Sequence, residues 1–173
     1  MMIEIFEKAF KKTLQVEGGY VDHPDDPGRA TNFGITELTA RNLGYHGDMK
    51  ELTINMAKDM YYKAYWKNHY YHRINNENIA MEMFDQAVNM GPKTANKNLQ
   101  KAYNLLTLNT ITEDGIIGPK TLEAVNNYAK PTALFNLLNG YQIKHYITLA
   151  ENSDKFKSFI AGWINKRIEI IRK

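Results

Sequence analysis

The sequence predicts a mainly α fold with one small β-hairpin near the N-terminus. Apolar residues recur at three- and four-residue spacing along most of the chain, the period of amphipathic helices. Pro92, Pro119 and Pro131 stand where a first-turn proline is tolerated, and Thr36 and Thr53 stand where a helix needs a cap. Only residues 20–35 break the pattern. They are rich in Pro, Gly, Asp and Asn, which suits a loop or short hairpin.

Taken in order, residues 2–16 form a first helix. Met2, Ile3, Ile5, Phe6, Ala9, Phe10, Thr13, Leu14 and Val16 share one face, and Gly18-Gly19 stops it. Thr36 caps a short helix to about Leu43, and Thr53 caps another through Trp66. Further helices are predicted over 77–90, 92–106, 119–129, 132–150 and 154–172. The last carries an apolar stripe of Phe156, Phe159, Ile160, Trp163, Ile164, Ile168 and Ile171. Gly91-Pro92-Lys93-Thr94 and Gly118-Pro119-Lys120-Thr121 are similar, each opening a helix; Gly-Pro is also simply a good helix stop and start.

Composition narrows the function. With 43% hydrophobic and 24% charged residues the chain reads as globular, and 173 residues suffice for a real core. There is no cysteine, which excludes disulfides, a cysteine nucleophile and thiolate metal sites. A formal charge of +3 is too mild to argue for nucleic acid. Eleven tyrosines offer apolar faces with hydrogen-bonding tips, suited to cores and to sugars alike. No run of residues is apolar enough for a membrane span, so stable membrane insertion is not expected. The opening Met1-Met2-Ile3-Glu4 lacks the features of a signal peptide.

Glu17 is the residue to which the pattern points. On the helical register it falls within the apolar face, whereas Glu4, Lys8, Lys11, Lys12 and Gln15 fall outside it. Burial and the negative end of the helix macrodipole would both keep its carboxyl protonated, as general acid catalysis requires. The other reading is a solvated residue at a helix end. Glycosidases set a second carboxylate across the scissile bond. Asp22, Asp25 and Asp26 follow in a turn ended by Pro27-Gly28, where Asx-turns are the alternative.

Glu17-Gly18-Gly19-Tyr20 and Asp26-Pro27-Gly28-Arg29-Ala30-Thr31-Asn32-Phe33-Gly34-Ile35-Thr36 together resemble the signature of glycoside hydrolase family 108. The likeness continues through Tyr65-Trp66 and Phe84-Asp85-Gln86-Ala87-Val88-Asn89-Met90-Gly91. It ends in Asp114-Gly115-Ile116-Ile117-Gly118-Pro119-Lys120-Thr121, similar to the DG-x-x-GP-x-T core of peptidoglycan-binding modules. The family comprises lysozyme-like N-acetylmuramidases of phage endolysins and of bacterial proteins labelled secretion activators. The resemblance implies a lysozyme-like fold and peptidoglycan glycan strands as partner, with Glu17 as the catalytic acid. The spacing also resembles phage-type lysozymes, whose catalytic aspartate falls on Asp26 and whose catalytic threonine falls on Asn32, with Thr31 one step earlier. Asp25 remains a rival to Asp26.

Tyr20, Arg29, Thr31, Asn32, Asp85 and Asn89 are the candidate substrate contacts. Arg29 departs from the family, which commonly has a second glycine there. Either the loop is shaped differently, or Arg29 meets an anionic substrate group, or it is a solvated loop residue. Asp85 and Asn89 lie four apart beside an apolar helix face, lining a sugar cleft or capping neighbouring backbone. Tyr61, Tyr62, Tyr65, Trp66, Tyr70 and Tyr71 form an aromatic run that is mostly core, with one or two facing the cleft. His69 and His72 lack a zinc-motif glutamate, and the Asp22–Asp26 cluster lacks that of a calcium loop, so neither metal nor cofactor is expected. Lys166-Arg167 and Arg172-Lys173 suit the end of the last helix dipole.

The expected organisation is a lysozyme-like catalytic region over 1–75 and a helical peptidoglycan-binding region over 76–173, packed as one globular, monomeric unit. The activity implied is hydrolysis of the β-1,4 bond between N-acetylmuramic acid and N-acetylglucosamine, on the cell wall after export or phage-type release. The alternative is a catalytically silent peptidoglycan-binding or secretion-assisting module.

Overall fold

A computed structural model describes residues 2–14, 19–21 and 30–172. The chain divides into two compact units, Met1–Asn68 and His69–Lys173.

In the first unit, helix α1 (Met2–Leu14) buries Phe6, Ala9, Phe10 and Thr13. Strands β1 (Thr31–Asn32) and β2 (Ile35–Thr36) form the expected hairpin, and Val21 adds a bridge to Thr31. Helix α2 (Glu37–Asn42) starts at Thr36, whose hydroxyl accepts from the Thr39 N–H. Helix α3 (Ile54–Tyr61) starts at Thr53 in the same way, with Met56 as donor. Both threonine caps were legible in the sequence.

Beyond Tyr61 the helix widens into a π-helical turn over Tyr62–Lys67, closed by the Asn68 N–H on the Lys63 carbonyl. Side chains five apart diverge in an α-helix, whereas an i→i+5 turn stacks them. Tyr61 and Trp66 can therefore both pack on α1. Tyr61 meets Phe10 edge-on at 5.7 Å, and Trp66 lies 5.6 Å from Phe6, between ring centroids. Both are buried, as is Tyr71, which accords with a mainly core role for the aromatic run; Tyr70 is exposed.

The second unit is built on α4 (Glu77–Met90), capped by the Asn76 side chain. Gly91 takes φ +85°, a left-handed value that favours glycine, and turns the chain into α5 (Pro92–Leu105). Helices α6 (Pro119–Asn126), α7 (Pro131–Asn152) and α8 (Lys157–Arg167) follow. Helix α4 buries residues all around its circumference, among them Ile79, Met83 and Phe84 but also Glu82, Asp85 and Gln86. Polar groups in that position need partners inside the unit. Gln86 donates to Glu82 and to the Leu138 carbonyl of α7, and accepts from Asn98 of α5.

The C-terminus departs from the expected helix. Helix α8 stops at Arg167, and its only buried residue is that arginine. The apolar stripe is half-buried or exposed, with Phe159 stacked on Trp163 at 5.9 Å. Residues beyond Arg167 run in non-helical form along α7, where Asn139 accepts from the Glu169 N–H and Asn136 bonds both the N–H and carbonyl of Ile171. These amides compete successfully with the helix for its last backbone groups. Arg167 is likewise not a helix-dipole cation. It donates to Asp85 at 2.7 Å in a pair with side chains 4% and 8% exposed.

Removing one member of such a pair strands the other without solvent. Arg167→Met is expected to lower unfolding free energy by about 3–5 kcal/mol, measured by urea denaturation. The double variant Arg167→Met/Asp85→Leu should recover a large part of that loss.

Candidate functional site

The hairpin of the first unit carries the described part of the sequence signature. Its two-residue turn, Phe33-Gly34, has φ of +49° and +72°. Left-handed values at both positions define a type I′ turn, whose twist matches that of paired strands. Phenylalanine is a costly occupant, and the turn is braced: the Tyr61 hydroxyl donates to the Phe33 carbonyl at 3.1 Å. Asn32 donates its amide to the Met49 carbonyl at 2.8 Å, tying the hairpin to a short helical turn, Met49–Glu51. Lys50 of that turn lies 5.5 Å from the centroid of the Tyr20 ring, a cation–π contact.

Strand alternation separates two of the candidates. Asn32 pairs with Ile35 and both are buried, whereas Thr31 pairs with Thr36 and both are half-buried. The fold therefore points Thr31 and Asn32 to opposite faces, and Asn32 spends its amide on the protein's own backbone. Tyr20 is half-buried next to Val21, the bridge partner of Thr31. Glu17, Asp22, Asp25, Asp26 and Arg29 lie outside the described residues.

Asp85 and Asn89 belong to the second unit. Asp85 Oδ1 accepts from Arg167 and Oδ2 from Gln142, both at 2.7–2.8 Å, and the side chain is buried. A carboxylate held on both oxygens is committed to the packing of α4, α7 and α8, not to a sugar hydroxyl. Asn89 donates to the Asp85 carbonyl one turn back, the backbone-capping role. Tyr146, bonded to Gln142, completes this cluster; burial, reinforced by Asp85, pushes its phenol up.

The second unit also holds the DG-x-x-GP-x-T segment, and here residues unremarked in the sequence do the work. Asn96, Gln100 and Asn104 stand four apart along α5, so they form one row of amides. Asn96 donates to the Gly115 carbonyl while accepting from the Tyr71 hydroxyl. Gln100 accepts the Gly115 N–H and donates to the Asp114 carboxylate and the Ile116 carbonyl. Asn104 bonds both the N–H and the carbonyl of Ile111. Gly115 has φ +79°, which favours glycine, and a Cβ there would crowd the Lys93 carbonyl at 3.1 Å. The buried Thr121 hydroxyl completes the motif against Ile116 and Gln100. The one signal in the sequence was polar residues at constant helical spacing facing a non-helical stretch.

Among the described residues, no group of three or more His, Asp or Glu side chains is placed to hold a metal ion. No helix there is long and apolar enough to cross a membrane.

Residues 10–91 match the family described as Glycosyl hydrolase 108, and residues 94–168 match the one described as Predicted Peptidoglycan domain. Among solved structures the chain is similar to Brucella abortus SagA, at 34% identity and a TM-score of 0.72, over 92% of this chain and 87% of that one. No curated protein matches the chain significantly.

The Gln100 amide and the Ile116 N–H hold the Asp114 carboxyl below the ordinary carboxylate range. In Gln100→Leu this carboxyl is expected to titrate upward, toward the ordinary range, by carbon-13 NMR. Unfolding free energy should fall by about 1–3 kcal/mol as the buried Gly115 N–H loses its acceptor. The linkage sign agrees: a depressed carboxyl contributes stability above its unfolded pKa and loses it as pH falls through the folded one.

Proposed function

We propose that this chain, which belongs to the glycosyl hydrolase 108 family and has a mainly α, lysozyme-like fold, is an N-acetylmuramidase. The family makes it a glycoside hydrolase, and the matched C-terminal domain supports peptidoglycan as the polymer it meets. The bond cleaved is the β-1,4 linkage from N-acetylmuramic acid to N-acetylglucosamine. The observation that carries the reading is Glu17 in Glu-Gly-Gly-Tyr, inside the matched 10–91 stretch.

In the proposed reaction Glu17 delivers its proton to the glycosidic oxygen as the C1–O bond breaks. The oxocarbenium-like transition state develops positive charge, which the Asp26 carboxylate stabilises. Water adds to C1 and gives up a proton to a carboxylate, leaving a reducing muramic acid. Arg29 offers a fork for a muramic lactyl or peptide carboxylate. Tyr20 and Thr31 supply a ring face and a hydroxyl beside the hairpin, whereas Asn32 acts by bracing it. Asp85 and Asn89 then support the fold around α4. The place of action is the wall, reached by export or by release from a lysing cell.

Glu17→Gln is expected to reduce clearing of purified peptidoglycan by at least about 100-fold, with muramic acid at the new reducing ends in wild type by mass spectrometry. Equal clearing by both proteins would refute the role of Glu17. Glucosamine at the reducing ends would make the enzyme a glucosaminidase. Glycan binding without any turnover would favour the silent module.

A further inference from the structure

In the second unit, the stretch from Thr110 to Thr121 walls a cleft of about 520 Å³. That volume lies in the range of small-ligand sites, about 300–1,000 Å³. Ile111, Ile116 and Pro119 give the cleft apolar surface, Asp114 and Lys120 give it one charge of each sign, and threonines add hydroxyls. Ile116 is 65% exposed, and Lys120 is exposed as well.

The cleft is formed in advance. The amide row of α5 holds its wall at Ile111, Asp114 and Ile116, and fixes Gly115 between them, through the bonds described above. A wall fixed before binding spares a ligand the cost of ordering it. The Asp114 carboxylate accepts from Gln100 and from the Ile116 N–H on Oδ1, which leaves Oδ2 outside both bonds, and the residue is exposed.

The lining distinguishes between the two chemistries that peptidoglycan offers. Sugar rings are commonly met by aromatic faces, and no aromatic side chain lines this cleft. The stem peptide offers methyl side chains, amides, a free amine and a terminal carboxylate. We propose that the cleft binds the stem peptide of peptidoglycan, with alanine methyls on Ile116 and Pro119, a carboxylate at Lys120 and an amine at Asp114. The proposal rests on peptidoglycan being the polymer, and goes beyond that reading by assigning the peptide, rather than the glycan, to this unit.

The test uses the full chain carrying Glu17→Gln, so that turnover does not enter. A synthetic stem pentapeptide ending in D-Ala-D-Ala is titrated by calorimetry and by amide NMR, with peptide-free glycan strands as competitor. Ile116→Glu and Lys120→Glu change exposed side chains, and circular dichroism checks that both variants fold. Each is expected to weaken peptide binding about tenfold, Lys120→Arg should retain it, and peptide-free glycan should not compete. Unchanged peptide affinity in both glutamate variants, or displacement by peptide-free glycan, overturns the proposal. Failure of the muramidase reading is separately visible, as a wild-type chain that releases no muramic-acid ends while still binding the peptide.

Discussion

A carboxylate placed at the centre of an all-round buried helix constrains the whole C-terminal unit. Desolvating Asp85 costs several kcal/mol unless a cation and further donors meet it. Arg167 from α8 and Gln142 from α7 supply both, so three helices converge on one side chain. Once Arg167 must reach Asp85, the face that α8 turns inward is set by that arginine and not by its apolar stripe. This explains why Phe159 stays half exposed while a charged residue in the same helix is buried. The same centre extends through Gln86, Glu82 and Asn98, so the polar groups of α4 are answered by α5 and α7.

Around this centre, side-chain amides take over the duty that helices and strands perform elsewhere. An amide carries a donor and an acceptor, so one asparagine can satisfy both backbone groups of a single residue. Asn104 does this for Ile111, and Asn136 for Ile171. Asn126 bridges the Asn75 N–H and the Arg73 carbonyl in the same manner. A charged side chain could match only one sign of partner and would pay more for burial. Neutral amides thus let the unit keep irregular segments rigid against its helices.

These two features mark what was legible in the sequence. Helix positions follow from apolar period, and their starts from Thr36, Thr53 and the first-turn prolines, because these are local effects. The hairpin followed from composition in the same way, although its turn did not: Phe33 at positive φ is tolerated only because Tyr61, distant in sequence, grips its carbonyl. Arg167 looked like a helix-end cation since nothing local reveals a partner 82 positions away. For the site, the signature around Glu17 and Asp26 is sequence-borne, and the structure adds the hairpin's facing rule, which separates Thr31 from Asn32. Asp85 shows the limit of pattern reading, since a polar strip beside an apolar face looks alike whether it meets sugar or salt bridge.

The hairpin and the amide-held loop solve a common problem in different ways. Each is a short irregular segment next to residues with chemical potential, and neither has enough backbone pairing to hold its own shape. In the hairpin, two strand pairs, the Tyr61 hydroxyl and the Asn32 amide suffice, because the turn is tight and its ends are already paired. The segment from Ile111 to Ile116 has no strand partner, so α5 must supply a donor or acceptor nearly every second residue. The three amides do not share the loop out evenly: Asn96 and Gln100 converge on Gly115, Gln100 also reaching Asp114 and Ile116, while Asn104 holds Ile111. The left-handed turn at Gly115 therefore carries the densest bonding, where the backbone departs furthest from any regular pairing.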